Sequence, residues 1–134
     1  MPNSALEFLY NTSFDPPIPV MELNLLNPVT GSKVQAEFII DSGADVTSIS
    51  ASLFDALDLE FSGSYLVSGV TGHEEYRNAA MLCVAVSGDV SRVIEVIVEP
   101  DFAENLIGRD LLNQWRVMLD GQRQRAIISI PGER

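Results

Sequence analysis

Alternation of apolar and polar residues at a period of two constrains this chain more than any other feature. Met21, Leu23 and Leu25 alternate with Glu22 and Asn24. The stretch NPVTGS (27–32) then supplies turn residues, and Val34, Ala36 and Phe38 alternate with Lys33, Gln35 and Glu37. Successive side chains of a strand point to opposite faces, so the pattern buries one face and wets the other. It predicts a hairpin whose second strand runs on into IIDSGA. Leu82, Val84 and Val86 mark a further strand, SGD turns it, and RVIEVIVE (92–99) is its partner. Near the end, WRVML and RAIISI flank DGQR, a hairpin signal through Asp120-Gly121. Two short segments break the pattern. Ser50 can cap ASLFDAL, with Leu53, Ala56 and Leu57 on one face, and RDLLNQW (109–115) reads as a second helix. Many short strands with frequent turns predict an all-β domain, closed or sandwich-like, with one or two short helices.

A length of 134 residues fits one domain, and a 46% hydrophobic content supplies a compact core. The extended segment DPPIP (15–19) divides residues 1–16, read as an arm or extension, from a domain over 17–134. The first residues lack a basic stretch and a sustained apolar core, so they do not read as a signal peptide. Apolar runs such as 79–86 are too short to span a bilayer. A cytoplasmic protein with no membrane partner is expected. A net charge of −11 repels nucleic acid and anionic surfaces, which excludes those partners. Cys83 is the sole cysteine and rules out an internal disulfide; within AAMLCVAV it reads as a small core residue. A catalytic cysteine would need His73, the sole histidine, as its base. One Cys and one His also leave no zinc cluster, and no metal or other cofactor is expected.

Asp41 ends an apolar strand and is followed by Ser42, Gly43 and Ala44. Alone, Asp-Ser-Gly is turn chemistry. Here it stands in FIIDSGADVTSIS, and downstream NLIGRDLL places an apolar pair and Gly108-Arg109-Asp110 at the opening of a helix. On these two motifs, in this order, the chain resembles the retropepsin-like aspartic peptidases, over residues 17–130. The resemblance implies a closed β-barrel domain that is active as a C2 homodimer on peptide or protein substrates. It implies that Asp41 is the catalytic aspartate and that the Ser42 hydroxyl crosses between two active-site loops. Gly43 and Ala44 would let substrate backbone approach. Asp45 would be an acidic residue of the substrate floor, Arg109 its partner, and Gly108 the glycine packed behind the catalytic loop. The resemblance also implies that this arginine packs beneath the dimer's central loops, which would leave the Asp45–Arg109 pair partly buried; the plainer reading is that Arg109 decorates the short helix and Asp45 caps a turn.

The chemistry needs two carboxylates sharing one proton, and the chain carries one Asp-Ser-Gly motif. A second copy related by a two-fold axis supplies the other from the same residue. A site of this kind also needs a cover that excludes water. YLVSGVTGHEEY (65–76) is the candidate flap, with Gly69, Val70, Thr71 and Gly72 as its tip against the substrate. Its plainer reading is an ordinary glycine-containing hairpin. Tyr65 and Tyr76 are expected to pack across its strands, and Trp115 to anchor the core. Asp110 reads as a charge at a helix start. Two alternatives stay open. One is an inactive dimerisation or peptide-binding module, and the other is an unrelated small β-barrel with a chance pair of motifs.

Overall fold

The computed structural model describes residues 4–68, 72–87 and 91–131. The first predicted hairpin is β2 (Val20–Leu26) and β3 (Lys33–Ile40), in register from Val20 opposite Ile39 to Leu26 opposite Lys33. Met21, Leu23, Leu25 and Phe38 are buried, as the alternation requires. The connecting turn is held by Asn27. Its Nδ2 donates to the carbonyls of Leu57 and Asp58, at 3.0 and 2.9 Å, and its Oδ1 accepts from the amides of Val29 and Thr30. One buried amide thereby ties the hairpin turn to the end of helix α1 (Ala51–Ala56). Gly31 completes that turn at φ +82°, which an L side chain resists.

The second hairpin pair is β6 (Glu74–Ala85) and β7 (Arg92–Glu99), preceded by β5 (Gly63–Ser68). Two very short strands, β4 (Ser48–Ser50) and β8 (Leu106–Ile107), complete the larger sheet in the order β2-β3-β8-β4-β7-β6-β5. An additional pairing of β2 with β6, Asn24 to Leu26 against Ala85 to Cys83, closes that sheet into a barrel and leaves β5 outside the ring. Closure removes the free edges that an open sheet would expose. Its interior holds Leu23, Phe38, Ile49, Leu82, Val96 and Ile107. Cys83 is buried, within β6.

Ser4–Leu9, within the stretch read as an arm, is strand β1. It pairs with β10 (Arg125–Ile130), which pairs with β9 (Arg116–Asp120), so the two ends of the domain share a three-stranded sheet. Ala126 and Ile128 face the core, and Leu6, Phe8, Trp115 and Val117 pack against it. The β9–β10 hairpin differs from expectation in its turn. The left-handed residue is Gln124, at φ 54°, rather than Gly121.

Helix α1 is capped by Ser50, whose Oγ accepts the Leu53 amide at 3.2 Å. Helix α2 spans only Arg109–Leu112, not 109–115, and the chain turns through Asn113 and Gln114 before β9. Among the described residues no helix is long and apolar enough to cross a membrane.

Replacing Asn27 by Ala strands the Leu57 carbonyl and two turn amides. The expected loss is about 2–3 kcal/mol of stability, read as a lower urea midpoint at unchanged m value.

Candidate functional site

Strand β3 delivers Asp41 to the end of the barrel. The last residues of β3, Ile39 and Ile40, run parallel to Leu106 and Ile107 of β8, and the Asp41 amide donates to the Ile107 carbonyl at 3.0 Å. The next residues curl tightly. The Gly43 amide donates to Asp41 Oδ1 at 3.0 Å, and the Ala44 amide donates to the Asp41 carbonyl at 3.1 Å. One carboxylate oxygen is thus oriented by its own loop.

Gly108 passes directly behind this loop. A Cβ there would stand 2.4–2.8 Å from the backbone C, O and N of Val46, closer than atoms can approach. The contact is backbone against backbone, so no side chain can move to relieve it. The adjacent Arg109 amide donates to the Ala44 carbonyl at 2.9 Å. The two motifs of the sequence are therefore one structure, sewn together by main-chain bonds.

Beneath them lies a connection that sequence reasoning missed. Thr47 is 0% exposed, and its Oγ1–H donates to Asp110 Oδ1 at 2.7 Å while its amide donates to Oδ2 at 3.1 Å. The same Oγ1 accepts the Gly108 amide at 3.1 Å. Asp110 also takes the Leu111 amide, so its position at the start of α2 is used, but its main partner is Thr47. A lone threonine in DVTSIS, one residue before β4, carries no signal of this. Asn105 is a second unforeseen brace, accepting the Ser50 amide through Oδ1 at 2.8 Å and donating to the Glu37 carbonyl.

Arg109 reaches back to the Asp41 loop. One guanidinium nitrogen donates to the Ser42 carbonyl at 2.7 Å, and another pairs with Asp45. The pair forms, and in the single chain it is exposed; the expected partial burial is that of a dimer. The Asp45 side chain is 84% exposed and that of Arg109 44%. The loop that carries Ser42, Gly43 and Asp45 lies at the surface, and none of the described residues covers it.

Asp41, Gly43, Ala44 and Asp45 form one side of a groove of about 1050 Å³. The β5–β6 hairpin forms the other. Residues 74–78 of β6 pair with β5 alone, so this part of the hairpin projects from the barrel over the groove. Gly72 lies in the left-handed region at φ +78°, and the expected tip residues Gly69, Val70 and Thr71 lie outside the described residues. Tyr65 and Tyr76 do not pack on each other. The register pairs Tyr65 with Arg77 and Leu66 with Tyr76, which puts the two rings on opposite faces. Tyr76 is exposed, while Tyr65 lines the groove.

The groove is rich in carboxylates, with Glu75, Glu95 and Glu99 beside Asp41 and Asp45. Arg77 bridges Glu75 at 2.6 Å and Glu99 at 3.1 Å, and these bonds, that to Glu99 foremost, strengthen its hold on the proton. Glu95 accepts the Ser62 and Tyr65 hydroxyls, each at 2.6 Å. The Ser62 bond first, then that of Tyr65, holds the Glu95 carboxyl below its ordinary range, and Glu95 in turn holds the Tyr65 phenol protonated above its own. His73 also lines the groove. Among the described residues no group of three or more His, Cys, Asp or Glu could hold a metal ion.

A family model described as retroviral aspartyl protease matches residues 18–120. Among solved structures, the chain is similar to a retropepsin-like aspartic protease from Rickettsia conorii. The TM-score is 0.65 at 14% sequence identity, with 99% of this chain and 98% of that one covered. At that identity the likeness shows the fold. No curated protein matches the chain.

Gly108→Ala is expected to cost about 3 kcal/mol or more, since the added methyl group must displace the Val46 backbone; chemical denaturation reads the loss. In a double-mutant cycle on Asp45→Asn and Arg109→Gln, measured at a concentration where the chain is monomeric, the exposed pair is expected to couple by less than about 1 kcal/mol.

Proposed function

The chain belongs to the retroviral aspartyl protease family, and from that premise we propose that it is an aspartic endopeptidase active as a C2 homodimer, with Asp41 of each subunit forming the catalytic pair. The observation that carries this is the setting of Asp41. Its carboxylate is oriented by the Gly43 amide, on a loop locked from behind by Gly108, at the side of a groove of about 1050 Å³. A loop serving only as a turn needs neither the lock nor the groove.

In the dimer two Asp41 carboxylates face one another and share one proton, because like charges so close cannot both ionise. The ionised member takes a proton from the water held between them. The protonated member donates a hydrogen bond to the scissile carbonyl oxygen. The water oxygen then bonds to the carbonyl carbon while the protonated member gives its proton to the carbonyl oxygen, leaving a neutral tetrahedral diol. Collapse of the diol breaks the C–N bond; the proton taken from water passes to the leaving nitrogen, and one diol hydroxyl returns a proton to the other carboxylate, so the pair again shares one proton.

The Ser42 hydroxyl bridges the two active-site loops, and Gly43 and Ala44 leave room for substrate backbone. Asp45, steadied by Arg109, borders the substrate floor, and residues 69–72 close over it as the flap. The exposure of Asp45 and of the Ser42 loop in the single chain supports an assembly in which a second copy covers them. We place the protein in the cytoplasm, acting on peptides or proteins and not on nucleic acid or membranes, in keeping with its net charge of −11.

A peptide-library digestion comparing the protein with its Asp41→Asn variant tests the reading. The wild type is expected to cleave, and the variant to fold and dimerise but not cleave. Comparable cleavage by the variant removes Asp41 from the chemistry, and a folded wild type that cleaves nothing leaves a peptide-binding module. Specific activity is expected to fall on dilution through the dimer dissociation constant, as measured by ultracentrifugation, and to decline above neutral pH as the shared proton is lost. Activity that stays flat on dilution counts against a site completed by a second subunit.

A further inference from the structure

We propose that Glu95 is a positioning residue that clasps the β5–β6 hairpin to the barrel wall through Tyr65, setting how closely the hairpin stands over Asp41. The inference rests on the reading of Asp41 as the catalytic group.

Strand β5 is an edge strand, paired with β6 alone and outside the closed ring. A hairpin attached at one side can rock about its base, and a cover that rocks holds substrate poorly. Glu95 stands on β7, with β6 between it and β5, yet its carboxylate crosses to the far strand. There it takes the Tyr65 hydroxyl on Oε1 and the Ser62 hydroxyl on Oε2, each at 2.6 Å. Bonds from a hydroxyl to an ionised oxygen at this length are the strong class.

The local sequence makes room for the clasp. Gly63 has no side chain, and a Cβ there would lie 3.5 Å from Tyr65 Cε2 and Oη and 3.6 Å from Glu95 Oε2. The tyrosine ring therefore folds back over the one position on its strand with no bulk. Ala79, paired with Gly63 on the neighbouring strand, is also small. Four residues along β7, on the same face, Glu99 takes Arg77 from β6. One wall strand thus grips both strands of the hairpin, each through a carboxylate. Glu95 differs from Glu99 in having hydroxyl partners and, among the described residues, no cation, so its grip depends on direction rather than on charge balance. Tyr65 is half-exposed, so loss of its hydroxyl should change where the hairpin sits more than whether the domain folds.

The test uses the protein as it assembles in solution and its Tyr65→Phe, Glu95→Ala and Glu95→Gln variants. Hydrogen–deuterium exchange of residues 63–68 reads the clasp without any reference to catalysis. A fluorogenic octapeptide drawn from the library digestion gives KM and kcat. Tyr65→Phe and Glu95→Ala are expected to raise exchange in β5 and raise KM about three- to tenfold, with kcat within about twofold and an unchanged melting temperature. Glu95→Gln keeps a carbonyl acceptor and is expected to recover most of the KM that Glu95→Ala loses. Raised exchange with unchanged KM would overturn the positioning role and leave a brace. Unchanged exchange in an active enzyme would overturn the clasp alone. Raised exchange in a protein whose wild type cleaves no peptide would sink the peptidase reading, and the positioning role with it.

Discussion

The crossing of two backbones at Gly108 and Val46 is the contact on which the rest of the site depends. Strand β8 and its following turn can pass behind the Asp41 loop only because residue 108 has no Cβ. Once there, the segment places three groups at fixed positions. The Ile107 carbonyl receives the Asp41 amide, the Arg109 amide reaches Ala44, and the Gly108 amide finds the buried Thr47 hydroxyl. A buried polar network is favourable when every member is satisfied and costly when one is not. This one closes, since Asp110 takes both the hydroxyl and the amide of Thr47. The loop that holds Asp41 is consequently anchored to the core through Thr47 and Gly108, although its own residues are exposed or half-buried.

Rigidity on one side of the groove contrasts with the attachment of the other. The Asp41 loop is fixed by main-chain bonds and steric exclusion, neither of which responds to salt or to mild changes of pH. The β5–β6 hairpin is held by side-chain bonds from its two strands to Glu95 and Glu99, beyond the closed ring. These side-chain contacts, although short and charge-assisted, lie where water can reach them and are the more adjustable attachment. A fixed floor and an adjustable cover are what admission and then enclosure of an extended chain require. The depressed titration of Glu95 matters in this setting. Its bonds to Tyr65 and Ser62 favour the ionised form, so the grip is kept through mild acid and is lost only as pH falls through the lowered value.

The parts of this architecture that were legible in the sequence are those set by local pattern. The β2–β3 and β9–β10 hairpins follow from alternation and turn residues, and the Ser50 cap follows from a hydroxyl before an apolar run. The family resemblance rested on two motifs that proved to be in contact, Asp41 to Ala44 with Gly108 and Arg109. What was not legible depends on distance through the fold. Closure of β2 on β6 joins residues about sixty apart in the chain, and no local pattern encodes it. Asp110 looked like a helix-start charge because its partner, Thr47, lies 63 residues earlier. Tyr65 was assigned to Tyr76 by chemical likeness, whereas the register puts them on opposite faces and leaves Tyr65 free to find Glu95.

The exposure of the Asp45–Arg109 pair follows from the same geometry. Arg109 must emerge beside Ala44, because its amide is bonded there, and so its side chain runs along the outer surface of the loop. Its two contacts, the Ser42 carbonyl and Asp45, belong to exposed residues of that loop. A guanidinium can brace both at once because its donors form a fixed fork, which a lysine lacks. Such a brace is worth little while water competes for it and more when a second surface removes that water. The loop is therefore shaped before any partner arrives, and its strength would come with the partner. In a two-fold assembly the brace would occur twice about the axis, so that assembly would tighten both active-site loops in one step.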